Sequence, residues 1–157
     1  MNDKRIAELL ESIADEFNVK LDNYSDSVLL VVTNKSIIQS DKLRLLLEIS
    51  KGASVSALNT NIKLSLTVSN FESSDFTIKM NNGISRLLSK KRFVVLGDGG
   101  NKFAQYWISE LKKSSVSGLR SFNASAKNDT FILKVKTPYL NTLEQVLSIL
   151  LIHFRIE

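Results

Sequence analysis

The chain has 157 residues, of which 43% are hydrophobic and 24% charged, with one proline, six glycines and no cysteine. That is the size and composition of one globular domain with a substantial core, which argues against intrinsic disorder. It also removes disulfides, thiolate nucleophiles and cysteine-ligated metal. The net charge of +5 is unevenly placed: residues 1–78 hold 8 Lys/Arg against 11 Asp/Glu, and residues 79–157 hold 13 against 5. A basic second half points toward an anionic partner, provided that the fold gathers those residues on one surface.

The N-terminal stretch is amphipathic, without an apolar signal core, and the longest apolar run, Val146 to Phe154, is interrupted by Ser148 and His153. That run falls short of the ~20 residues a membrane-spanning helix needs. The expectation is a soluble, cytoplasmic chain with no membrane insertion.

Ile6, Leu9, Leu10, Ile13, Ala14 and Phe17 recur at helical spacing and predict a first helix capped by Asn2 or Asp3. Next, Asp22-Asn23-Tyr24-Ser25-Asp26 reads as a polar turn between strand-forming residues at Val19–Leu21 and Val28–Val32. Leu43, Leu45, Leu47 and Ile49 alternate with charged residues and favour a strand. Leu46 breaks that alternation and leaves a helix as the competing reading. Ser50–Thr60 has loop composition; Ile62–Val68 alternates cleanly as a half-buried strand, and Phe76–Met80 repeats the pattern before a turn at Asn82-Gly83. Ile84, Leu87 and Leu88 suggest a short helix, and Arg92–Leu96 a strand. A helix near 101–113 carries the stripe Phe103, Ala104, Trp107, Ile108 and Leu111. A hairpin over Leu119–Ala126 and Thr130–Lys136 follows, joined at Lys127-Asn128-Asp129. Pro138 ends it, and Thr142 with Gln145 forms a capping-box pattern for the last helix.

The order predicts an α+β fold: a mainly antiparallel sheet of five to eight strands packed against N- and C-terminal helices. Its C-terminal part is a strand-helix-strand-strand-helix unit. Residues 1–157 read as a single domain, with 82–90 as the one place where a subdomain division would fall.

Chemistry-bearing constellations are few. His153, the single histidine, lies inside an apolar helix, where a packed ring is the better reading than a catalytic base. One histidine and no cysteine exclude the usual zinc spacings. Asp22-x-Tyr24-x-Asp26 opens like a calcium loop but lacks the central glycine and the closing glutamate. Neither a cofactor nor a metal is expected, and no catalytic constellation is recognisable.

Three features remain. Gly97, Gly99 and Gly100, followed by Asn101-Lys102, form a glycine-rich turn between a strand and a helix. It is a phosphate-loop candidate by its backbone, but its spacing is not the Walker pattern and it contains Asp98. Lys90, Lys91, Arg92, Lys102, Tyr106, Lys113 and Arg120 are the candidate anion- or nucleic-acid-binding set, extended by Lys127, Lys134 and Lys136 on the hairpin. Ile149 and Ile152 make the last helix apolar nearly all round and are candidates for self-association. The reading is a non-enzymatic binding module docking on an anionic partner, nucleic acid first. The alternative is a protein–protein adaptor, chaperone-like or oligomer-forming module using the last helix or a sheet edge.

Overall fold

A computed structural model describes residues 2–28, 31–52, 60–81, 92–113 and 118–155, without the side chains of Asn2 and Asp3. The elements are α1 (Asn2–Glu16), β1 (Leu21–Val28), β2 (Val31–Gln39), β3 (Leu43–Gly52), β4 (Asn61–Ser69), β5 (Phe76–Met80), β6 (Phe93–Gly97), α2 (Lys102–Lys113), β7 (Ser121–Lys127), β8 (Thr130–Thr137) and α3 (Leu140–His153). The fold is α+β, as expected. The eight described strands form one antiparallel sheet in the order β1-β2-β3-β4-β8-β7-β5-β6. Strands from both sides of residues 82–90 therefore share a single hydrogen-bonded sheet. The predicted turn at Asn82-Gly83, the short helix at 84–88, and Lys90 and Lys91 lie outside the described residues.

Register explains why this sequence makes this sheet. Strand side chains alternate between faces, so in-register partners share a face across neighbouring strands. Leu21, Ile38, Leu45, Leu66, Leu133, Ala124, Ile78 and Val95 stand opposite one another in turn, one from each strand, as a continuous apolar row. The six inner members of the row are buried. Leu43, Leu47, Ile62, Leu64, Val68, Phe131, Val135, Phe122 and Phe76 fill the rows on either side, and the helices close over this face with Ile13, Trp107, Leu143, Val146 and Leu150. Leu46, which interrupts the sequence alternation, simply occupies the other face, opposite Ile37 and half-buried.

Local chemistry sets the boundaries. α1 ends in a Schellman motif: Asn18 takes the left-handed conformation (φ 52°). Its N–H donates to Asp15 (3.0 Å), and the N–H of Val19 donates to Ala14 (3.0 Å). Val19 therefore terminates the helix instead of starting a strand. The β7–β8 hairpin turns on Asn128 and Asp129, both at positive φ (50° and 55°), the geometry of the two-residue turn that matches strand twist. α1 and α3 pack side by side, with Phe17 edge-on to Phe154 (4.9 Å between centroids) and an Arg5–Glu144 ion pair at 2.8 Å.

Two expectations are corrected. Asp22–Asp26 is part of β1, not a turn, and the run Val28–Val32 is not one strand: Val28 ends β1 and Val31 begins β2. β1 is an edge strand with almost every residue exposed, so it shows no apolar alternation. It is held by backbone pairing and by contacts such as Ser36 Oγ donating to Asn23 Oδ1 (2.7 Å). Most of β2, half-buried at Thr33 and at Lys35 to Ile37, escapes the pattern for the same reason. The capping box at Thr142 is also displaced: α3 begins at Leu140 with Tyr139 as N-cap and no side-chain cap, while Thr142 is buried inside the helix. Thr137 takes over the junction, its hydroxyl donating to Gly118 O (3.0 Å) and accepting the N–H of Tyr139 (3.2 Å).

Truncation at the centre of the apolar row tests this account. Leu133→Ala should cost about 2–5 kcal/mol in urea-unfolding free energy. Ser65→Ala, on the opposite face of the neighbouring strand, should change it by less than about 0.5 kcal/mol.

Candidate anion-binding surface

The faces of the sheet differ chemically. The helix-covered face is apolar; on the other, the four strands β4, β8, β7 and β5 present Lys63, Ser65, Thr67, Ile132, Lys134, Lys136, Ser121, Asn123, Ser125, Thr77 and Lys79. Lys63, Lys79, Lys134 and Lys136 are exposed, and no acidic side chain lies among these strand positions. The pairing concentrates the charge. Lys63 stands directly opposite Lys136, and Lys134, Asn123 and Lys79 form a row across three strands. Neighbouring strands lie ≈ 4.8 Å apart, so the four lysines span roughly 14 Å. Like charges directly opposite on a sheet are destabilising. Glu48, which faces Lys63 from β3, is engaged by Lys35 at 3.6 Å.

The sequence-derived set is divided between surfaces. Lys102 and Lys113 belong to α2, in the helix layer, on the far side of the sheet from Lys134 and Lys136. Lys102 lies over the Phe103 ring (5.0 Å), and Lys113 pairs with Glu110 at 3.0 Å. Arg92 is half-buried, 5.5 Å from the Phe93 ring. The Tyr106 hydroxyl donates to Ile149 O at 3.0 Å, and burial, with Glu110 nearby, pushes its pKa up to about 12. Arg120 is exposed at the entrance to β7, its N–H bonded to Lys136 O (2.8 Å), and Lys127 ends that strand. Lys63 and Lys79 come from other segments of the chain. Period-two alternation places each on the polar side of its own strand, but only strand order brings them to Lys134 and Lys136.

The glycine-rich turn is a self-contained helix start. Gly97 has φ 84° and lies so close to Asp75 that a Cβ there would meet its carbonyl oxygen at 2.6 Å. Asp98 accepts the N–H of Gly100 (2.9 Å) and the hydroxyl of Ser74 (2.6 Å), and these two bonds hold its carboxyl below the usual range. Asn101 caps α2, its Oδ1 accepting the N–H groups of Phe103 (2.9 Å) and Ala104 (3.3 Å), while Nδ2 donates to Ser73 (2.7 Å) and Ser74 (2.8 Å). Three amides that a phosphate would use are thus engaged by side chains, one of them an ionised carboxylate.

In α3, Ile149 is only 5% exposed beneath α2, whereas Ile152 is 50% exposed. His153 is buried in a nest of rings, stacked on Phe131 (4.6 Å) and Phe71 (5.5 Å). Its Nδ1 accepts the indole N–H of Trp107 at 2.9 Å, which assigns the imidazole proton to Nε2, a buried atom without a hydrogen-bond partner. Burial pushes its pKa down to about 3. Among the described residues no cluster of His, Asp or Glu is arranged to hold a metal, and no helix is long and apolar enough to cross a membrane.

Compared with protein-family models, curated proteins and solved structures, the chain matches none of them.

The His153 environment carries a pH dependence. The folded-state pKa lies below the unfolded value of ~6.5, so only the unfolded chain takes up this proton as pH falls. The stabilisation is present above pH ~6.5 and is lost toward pH 3, at up to about 1.4 kcal/mol per unit. Urea unfolding at pH 7, 6, 5 and 4 should show this slope. His153→Phe should remove that part of it while costing about 1–3 kcal/mol at pH 7, because the Trp107 N–H loses its acceptor.

Proposed function

We propose that the protein is a non-enzymatic binding module whose open sheet face docks on the phosphate backbone of a nucleic acid. The single observation that supports this best is the Lys63, Lys79, Lys134 and Lys136 cluster on four adjacent strands that carry no carboxylate on this face, with Glu48 of β3 beside Lys63 at its margin. A solvated face ordinarily mixes signs, and a directly opposed lysine pair opposes folding. Such a patch neutralises phosphates and releases their counterions on binding. Serine, threonine and asparagine between the lysines suit hydrogen bonds to phosphate oxygens and sugars. The strands β4, β8, β7 and β5 offer no aromatic on this face, so the reading is contact with the backbone, not base stacking, and little sequence preference. Arg120, with its N–H on the Lys136 carbonyl, would extend the patch at its end.

Fluorescence anisotropy with labelled single-stranded RNA and DNA across a salt series tests the reading. The log–log slope should be about −3 for four phosphates on a single strand. Combined Lys63→Glu, Lys134→Glu and Lys136→Glu should abolish binding, whereas Lys102→Glu with Lys113→Glu, on the helix layer, should leave it within about twofold. Absence of binding at low salt, or equal losses from both sets, would overturn the assignment.

A second expectation separates function from folding. Lys136→Thr relieves the opposed pair and should raise stability by about 0.2–1 kcal/mol in urea unfolding while weakening the nucleic acid. A residue retained only for folding would not behave in that way.

A further inference from the structure

The two ends of the sheet are built differently. β1, at one end, carries Asp22 and Asp26, charges of the kind that discourage a further strand from adding. β6, at the other end, is Phe93-Val94-Val95-Leu96-Gly97, with neither charge nor proline, and Leu96 is 51% exposed. The pairing with β5 fixes which backbone groups face out. Asn81 N–H bonds to Arg92 O (2.7 Å) and Asp98 N–H to Asp75 O (2.9 Å), so the even-numbered residues of β6 bond inward. By antiparallel alternation Phe93, Val95 and Gly97 turn their N–H and C=O groups outward, where no described strand pairs with them.

Beside that edge lies a groove of about 320 Å³ between β6 and α2, lined by Val95, Ala104 and Ile108 together with Gly99, Gln105 and Ser109. Lys112 is the one charged side chain among its described lining residues. An unpaired edge gives main-chain hydrogen bonds to an added strand, and an adjoining apolar groove takes its alternate side chains.

We infer that β6 and the α2 groove form a docking site for an extended peptide of a partner protein, added as a ninth, antiparallel or parallel strand. The peptide would place an apolar side chain against Val95, Ala104 and Ile108 and an acidic one against Lys112. Charge favours such a partner over a second copy of this chain. α2 carries Lys102, Lys112 and Lys113 against Glu110 alone, so a symmetric β6–β6 pairing would bring two basic helices alongside each other. The groove lies on the helix-covered side, whereas the lysine cluster, which reaches Lys79 on neighbouring β5, lies on the open face, so this inference does not rest on that cluster.

Fluorescence polarisation with a labelled peptide of alternating valine and threonine flanked by glutamates tests the site on the full chain. The same peptide flanked by lysines serves as the charge control. Saturable binding of the acidic peptide is expected, weakened roughly tenfold or more by Ile108→Lys, and by Val95→Pro, which removes the central outward N–H. Lys134→Glu with Lys136→Glu should leave it unchanged. Circular dichroism establishes that each variant is folded, and Ile108→Lys carries the test if the proline variant is not. No binding, equal binding of the lysine-flanked peptide, or insensitivity to Ile108→Lys would overturn the inference. So would a dimeric mass by light scattering that becomes monomeric with Val95→Pro, because the edge would then belong to a second copy.

Discussion

An antiparallel sheet has two faces, and this chain has apolar side chains enough to bury one of them. The row from Leu21 to Val95 crosses the eight described strands without a charged residue, and the described helices pack over that face. Burial of apolar area is non-directional, so it would tolerate many arrangements of these strands. Alternation supplies the direction: a one-residue slip in any strand would bring polar side chains under the helices. A fold stabilised from one side necessarily presents its other side to solvent, and the chemistry of that open face is under no packing constraint. Whatever the open face carries is therefore informative in a way that the core is not.

Read in that light, the lysines opposite one another on β4 and β8 and the polar row through Asn123 are a departure from what stability alone would select. The same holds at β6, where an uncharged edge strand lies beside an apolar groove while the distant edge carries aspartates. The molecule has two distinct exposed surfaces, one electrostatic and broad, the other narrow and made of backbone groups and apolar side chains. The lysine patch reaches Lys79 on β5, next to β6, but it lies on the open face, whereas the groove lies on the helix-covered side.

Much of the architecture was legible in the sequence because burial imposes period. α1, β4, β5, α2 and the β7–β8 hairpin carry an apolar rhythm that survives reading residue by residue, while β6 and α3 show as apolar runs. β1 and β2 escaped because strands exposed or half-buried along most of their length show no apolar alternation and are held mainly by backbone pairing; Asp22 and Asp26 look like turn residues until β2 is seen beside them. The candidate surface was half legible. Lys134 and Lys136 share a face by simple alternation, but Lys63 and Lys79 join them only through the order β4-β8-β7-β5, which local pattern does not encode. Conversely, charge counting grouped Lys102 and Lys113 with the hairpin lysines, and the sheet separates them. The glycine-rich turn shows the limit of composition: its residues suit an anion, yet Asp98 and Asn101 engage the amides from within.

The Trp107–His153 hydrogen bond has a further consequence. Trp107 is the only tryptophan of the chain, and it is fully buried between the helix layer and the sheet, bonded to a ring that does not take up a proton until strongly acid pH. The protein thus contains its own optical probe, seated at the junction of α2, α3 and β8 and remote from the open face. Its emission reports whether the helices are docked. A ligand on the lysine face should leave that signal still, so any change seen on binding would mean that the two sides of the sheet communicate.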